Sequence, residues 1–159
     1  MDKQFGGSGI TKEVFDWITD NISVGKVIVE LGAGDVSTKY LSERYELYSV
    51  EDVPKFCGKW ASTYIHAPLV DGWYDINILK EGLPERFSLL LIDGPVKFSD
   101  FRPGVGDRLK ILDHLDLFDK DAIIIVDDTN RPAERNLLDA LAQKTGKKKT
   151  VFSSFGVLQ

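Results

Sequence analysis

One cysteine, Cys57, and two histidines in 159 residues leave little room for thiol or zinc chemistry. A lone thiol cannot close an intramolecular disulfide, and there is no CxxC or histidine-rich ligand pattern. A reducing, cytoplasmic setting is expected. No stretch approaches the roughly 20 apolar residues of a membrane span, and Met1 to Gly9 hold no apolar run of the signal-peptide kind. No membrane partner is expected. A net charge of −5 speaks against nucleic acid, whose binding rests on clustered Lys and Arg neutralising phosphates. The one basic run, Lys147 to Lys149, reads as a solvated turn behind Gly146.

What is present is ordinary globular material, 43% hydrophobic and 28% charged. A chain of this length is expected to form one domain over residues 1–159 with a core that needs no staple. Gly6, Gly7 and Gly9 predict a flexible start over 1–9. Ile10, Val14, Phe15, Ile18 and Ile22 then recur at helical spacing.

Val27 to Val29 is a short β-branched run, the pattern of a strand covered on both faces. A short helix is expected around Thr38 to Arg44, a second strand near Leu47 to Val50, a helix from Pro54 and a third strand near Tyr64 to Ala67. Phe87 to Ile92 reads as the fourth strand. Ile111, Leu115 and Phe118 mark the inner face of a further helix, and Ala122 to Val126 reads as the fifth strand. Pro132 opens a helix that faces inward through Leu137, Leu138 and Leu141 and stops at Gly146. Lys149 to Phe152 and Phe155 to Leu158 read as two terminal strands joined by Ser153-Ser154.

Alternating strands and helices predict an open, mainly parallel sheet with helices on both faces. Ligands of such sheets bind beyond the carboxyl ends of strands, where strand order reverses. Those ends carry Glu30 to Gly34, Glu51-Asp52, Ala67-Pro68, Asp93 to Pro95 and Asp127-Asp128, so polar chemistry gathers along one rim. Gly32 and Gly34 let the backbone bend and approach a ligand without a Cβ in the way. The dinucleotide fingerprint needs a third glycine where this chain has Ser37. Glu51, about 20 residues beyond the loop, is placed to accept ribose hydroxyls.

Residues 27–41, VIVELGAGDVSTKYL, resemble the first motif of class I S-adenosylmethionine-dependent methyltransferases, and the resemblance extends over nearly the whole chain. It implies a Rossmann-like α/β fold with a seven-stranded, mainly parallel sheet and an antiparallel last strand. Glu30 would position the loop and the cofactor ammonium, Gly32, Ala33 and Gly34 would give backbone contacts, and Ser37 and Thr38 would cap the next helix or touch the carboxylate. Glu51 would bind the ribose, with Asp52 beside it either a ligand contact or a cap ahead of Pro54. His66 and Ala67 would line the adenine pocket.

The segments FSLLLIDGP and AIIIVDDTNRPAE resemble a bacterial group of small methyltransferases and, more distantly, the cation-dependent catechol-type O-methyltransferases. That second likeness implies Asp93, Asp127 and Asp128 as ligands of Mg²⁺ or a similar ion. The plainer alternative has Asp127 and Asp128 capping the helix at Pro132 and Asp93 making a turn. Three carboxylates so close would repel one another unless a cation, a basic side chain or protonation compensated them. Asp93 and Asp127 are catalytic candidates, and Lys97 is a candidate base or an exposed surface lysine. Arg102, Arg108, Arg131 and Trp73-Tyr74 are candidates to shape an acceptor pocket.

Amine methyltransferases resemble one another in a Pro-Pro-Tyr or Pro-Pro-Phe step after the fourth-strand acid. Here Gly94-Pro95-Val96 follows Asp93, and no cysteine stands there for cytosine chemistry. The expectation is transfer to oxygen on a small-molecule substrate, with self-association into a homo-oligomer left open. Two rivals stay open: a non-catalytic methyltransferase-like domain binding a nucleoside or a partner, and an NAD-dependent oxidoreductase.

Overall fold

A computed structural model describes residues 5–159. In chain order the elements are α1 (Lys12–Asn21), β1 (Val27–Leu31), α2 (Ser37–Ser42), β2 (Glu46–Glu51), β3 (Thr63–His66), β4 (Leu69–Val70), β5 (Trp73–Tyr74), α3 (Ile76–Gly82), β6 (Leu89–Ile92), β7 (Ile123–Asp127), α4 (Pro132–Thr145), β8 (Lys149–Val151) and β9 (Phe155–Leu158). The fourth and fifth strands expected from sequence are thus β6 and β7. Seven strands form one sheet in the order β3-β2-β1-β6-β7-β9-β8. The pairs from β3 to β7 are parallel, and β9 runs antiparallel between β7 and β8.

Each central strand feeds two cores. In β6, Leu90 and Ile92 join one cluster with Leu137, Leu138 and Leu141 of α4, while Leu89 and Leu91 join another with Val14 and Ile18 of α1. This two-sided burial explains why the strands read as continuous apolar runs. Local signals place the helices around them. Thr11 accepts from the Val14 N–H to start α1, and Gly146, at φ +70°, ends α4 by donating to the Ala142 carbonyl at 3.0 Å.

Two expected helices are shorter and tighter than the sequence suggested. The one from Pro54 is a single 3₁₀ turn, Pro54–Phe56, because Cys57 is extended and Gly58 turns away at φ +79°. The one through Ile111, Leu115 and Phe118 is two 3₁₀ turns, Arg108–Asp113 and Leu115–Leu117, interrupted at His114. Two further elements rest on turn and capping chemistry rather than on apolar periodicity. The β4–β5 hairpin turns on Asp71-Gly72, both at positive φ, a two-residue hairpin signal. Helix α3 starts at Asp75, whose carboxylate accepts from the Asn77 and Ile78 N–H groups.

Within the expected flexible start, residues 5–9 form a turn in which Gly6 N–H donates to the Ile10 carbonyl at 2.9 Å and the Phe5 ring stacks on Tyr40. Residues 1–4 lie outside the described residues. Among the described residues, no helix is long and apolar enough to cross a membrane.

Candidate functional site

The chain runs outward from β1 to β3 on one side of the sheet and through β6 and β7 on the other, so strand order reverses between β1 and β6. A cavity of about 380 Å³ lies there, within the usual size of a small-molecule site. Its floor is the loop Gly32 to Ser37, one wall is Glu51 to Val53 with Phe56, and the other wall is Asp93 to Val96. A larger open groove of about 560 Å³ at the opposite strand ends, around Ser88 and Ile123, gathers none of the candidate residues.

The glycines of the two facing loops are packed against each other. A Cβ on Gly32, which stands at φ +94°, would come within 3.0 Å of the Asp93 carbonyl group, and one on Gly94 within 2.6 Å of the Tyr74 hydroxyl. Gly34 differs: its Cβ would meet nothing nearer than the Ser37 hydroxyl at 3.8 Å. Gly32 is therefore required by the fold, whereas Gly34 borders open cavity.

Glu30 lies fully buried beneath this loop and does not line the cavity. Its Oε1 accepts from the Thr38 hydroxyl and from the Ser49 hydroxyl at 2.7 Å, and the Thr38 oxygen in turn accepts from the Gly34 N–H at 2.9 Å. Glu30 thus positions the loop as expected, but its burial leaves it no face toward a ligand ammonium. Burial also pushes its carboxyl up to about 7, against the pull of the Thr38 and Ser49 hydroxyls. Its Oε2 has no partner among the described residues.

Ser37 and Thr38 do not cap α2. They stand inside it, behind Val36, which makes no side-chain cap.

Glu51 ties the floor to the wall. Its Oε2 accepts from the Ala33 N–H at 3.0 Å and its Oε1 from the Val53 N–H at 2.8 Å. Each carboxylate oxygen carries two lone pairs, so acceptor capacity remains on the cavity side. Burial raises the Glu51 carboxyl to about 7, and the Asp52 charge adds to the rise. Asp52 also lines the cavity, paired with Arg102 rather than capping the turn at Pro54. That pair, with the Phe101 ring edge-on to Phe56 at 5.5 Å, draws the segment 98–102 over the cavity mouth. Sequence reading had no signal for the pairing, since the partners lie 50 residues apart.

Other candidates fall elsewhere. His66 is exposed, its Nε2 3.3 Å from the Asp52 carbonyl, and Ala67 is buried; neither lines the cavity. Lys97 is exposed and borders a second cavity of about 380 Å³, shared with Val105, Arg108, Arg131 and Glu134 on the far side of Pro95 and Val96. Trp73 and Tyr74 are core residues at 2% and 1% exposure, so the aromatic pair does not form an acceptor surface.

Asp93, Asp127 and Asp128 do come together: one carboxylate oxygen from each lies within 4.8 Å of the others. They do not cap α4, whose first position is preceded by Arg131 with no side-chain cap. Burial pushes the Asp93 carboxyl well up, aided by the charge of Asp127, and burial raises Asp127 to about 6. Three hard oxygen donors are the chemistry a Mg²⁺ ion selects. Their counter-charge, however, is already inside the cluster. The Arg108 guanidinium lies 3.8 Å from Asp93 Oδ1 and 3.4 Å from Asp128 Oδ2, with its side chain 9% exposed. A divalent ion held here would have to share these carboxylates with that arginine.

No family model matches the chain, and no curated protein does. Solved structures do resemble it. A TehB-like SAM-dependent methyltransferase from Corynebacterium glutamicum aligns at a TM-score of 0.56 and 15% identity, over 99% of this chain and 87% of that one. The MycE methyltransferase of the mycinamycin biosynthetic pathway, solved with Mg, SAH and mycinamycin VI, aligns at 0.58 and 13% identity, over 98% of this chain and 50% of that one. At these identities the likeness is one of fold. The chain has the Rossmann-like α/β fold of SAM-dependent methyltransferases, with the sheet order and antiparallel β9 described above.

Proposed function

We propose that the chain is an S-adenosylmethionine-dependent methyltransferase acting on a small molecule, at oxygen. The observation that carries this reading is the meeting of the Gly32 to Gly34 loop, Glu51 and Asp93 around one cavity at the strand-order reversal. The donor set suits a nucleoside joined to an amino acid: an acidic wall with spare acceptors for ribose hydroxyls, and a glycine floor open to close backbone approach. Glu51, Asp52 and Val53 would hold the nucleoside end, and Ala33, Gly34 and Ser37 the amino-acid end. Glu30 acts through Thr38 on the loop rather than on the ligand.

When bound, S-adenosylmethionine supplies an electrophilic methyl group. The chain has then to align the acceptor and take its proton. Asp93 lies on the cavity wall with the Asp127 carboxylate close by, and burial raises both carboxyls, Asp127 to about 6. This makes Asp93, with Asp127, the proton acceptor in our reading. Lys97 faces the neighbouring cavity, where an acceptor would extend.

Calorimetric titration with S-adenosylmethionine, S-adenosylhomocysteine and NAD tests the assignment. The two sulfur nucleosides are expected to bind and raise the melting temperature by mass action, and NAD is not. Glu51→Ala should weaken S-adenosylhomocysteine by about 1–3 kcal/mol, the scale of a lost charged acceptor. Binding of NAD alone would make the site a dinucleotide site.

A further inference from the structure

Arg108 begins the 3₁₀ turn Arg108–Asp113, which Asp107 caps by accepting from the Leu109 N–H at 3.0 Å. From there its side chain enters the space between the ends of β6 and β7 and the first turn of α4. Nε donates to the Pro95 carbonyl at 3.3 Å, and Nη2 donates to the Asp93 carbonyl at 2.8 Å. Nη1 lies 3.4 Å from Asp128 Oδ2 and 3.9 Å from Glu134 Oε1. All three guanidinium nitrogens are therefore engaged, by partners from three separate segments, in a side chain almost wholly removed from water. That planar fork is held in one place.

An ion bound by the three aspartates would need their oxygens at about 2.0–2.1 Å. A doubly charged ion would then stand within roughly 5–6 Å of the guanidinium, two cations drawing on the same carboxylates. Arg131 also reaches Asp128 Oδ2, at 3.3 Å, but its side chain is 58% exposed and free to swing into water. Arg108, at 9% exposure and with all three nitrogens engaged, is held far more firmly.

We infer that Arg108 is the resident cation of the Asp93, Asp127 and Asp128 cluster, standing in place of a divalent metal, so that the cluster binds Mg²⁺ or Mn²⁺ only when this arginine is removed. The inference does not depend on the methyltransferase reading. It assigns Arg108 as a positioning residue that holds the two strand-end loops in register with α4 and supplies the charge a metal would otherwise bring.

The test is Mn²⁺ titration of the full chain after chelation, read by the loss of the free-ion electron paramagnetic resonance signal. Wild type and Arg108→Lys are expected to show no saturable binding at millimolar Mn²⁺. Arg108→Met is expected to gain a single site, which Asp127→Asn in the same background removes. If Arg108→Met does not fold, Arg108→Gln, which keeps a donor toward the Asp93 carbonyl, takes its place. Saturable binding to wild type that Asp127→Asn abolishes would overturn the inference. A folded Arg108→Met or Arg108→Gln chain that binds no Mn²⁺ would do the same, because the aspartates would then not be a metal set masked by arginine.

Discussion

Glu30→Gln isolates the charge buried under the glycine loop. The glutamine carbonyl can still accept from Thr38 and Ser49, so the bonds that hold the loop persist while the ionisation is removed. In the wild type, burial moves this carboxyl from 4.5 to about 7. A carboxyl raised on folding binds more protons in the native than in the unfolded chain, so its contribution is complete below about 4.5. It is lost as pH climbs through the folded value near 7. The shift corresponds to roughly 3 kcal/mol, and Glu30 is fully buried, so solvent screening does not reduce it. Glu51, Asp93 and Asp127 are raised as well and steepen the fall in both proteins. The difference between the two stability curves therefore reports on Glu30, together with the small part of the Asp93 rise that the Glu30 charge causes. Urea unfolding from pH 4.5 to pH 8 should show Glu30→Gln gaining about 3 kcal/mol on wild type across that window, or roughly 6–12 °C in melting temperature. Any constant offset from placing the amide nitrogen at the unpartnered Oε2 position cancels. Parallel curves, with a difference flat to about 0.5 kcal/mol, would refute the assignment of a buried, proton-holding Glu30.

Gly32→Ala should destabilise the chain by about 1–3 kcal/mol in urea unfolding, because an alanine at φ +94° meets the Asp93 backbone at 3.0 Å. Gly34→Ala should stay within about 0.5 kcal/mol, since no left-handed backbone or close contact opposes it there. Arg102→Ala leaves Asp52, whose side chain is 4% exposed, without its cation and should cost about 3–5 kcal/mol. Adding Asp52→Asn should recover part of that loss in a double-mutant cycle, and amide exchange over residues 98–102 should quicken in Arg102→Ala.

The candidate site was legible in proportion to how locally each part is encoded. Gly32 and Asp93 follow their strands directly and Glu51 ends its own, and parallel strands deliver their carboxyl ends to one rim, so the strand ends alone bring these residues together. His66 ends a strand and Ala67 follows it, yet β3 is the edge of the sheet, two strands from the reversal point, and the cavity does not reach them. The hairpin at Asp71-Gly72 and the cap at Asp75 were written in ordinary turn and capping chemistry and passed unread. The helices expected at Pro54 and through Ile111 contracted to 3₁₀ turns because apolar spacing alone does not register Gly58 or the break at His114.

By itself, then, the sequence determined the order of the seven sheet strands, the two-faced burial of β1, β6 and β7, and the row of acids at their ends, because each depends on neighbours within a turn or a strand. The tertiary structure alone decided what those acids are. Burial beneath the glycine loop made Glu30 a support for that loop through Thr38. Arg102 reached Asp52 across 50 positions, and Arg108 reached Asp128 across 20. Charge pairing and desolvation depend on distance in space, which no local periodicity encodes, so only the folded chain brings the three aspartates together and sets Arg108 against Asp93 and Asp128.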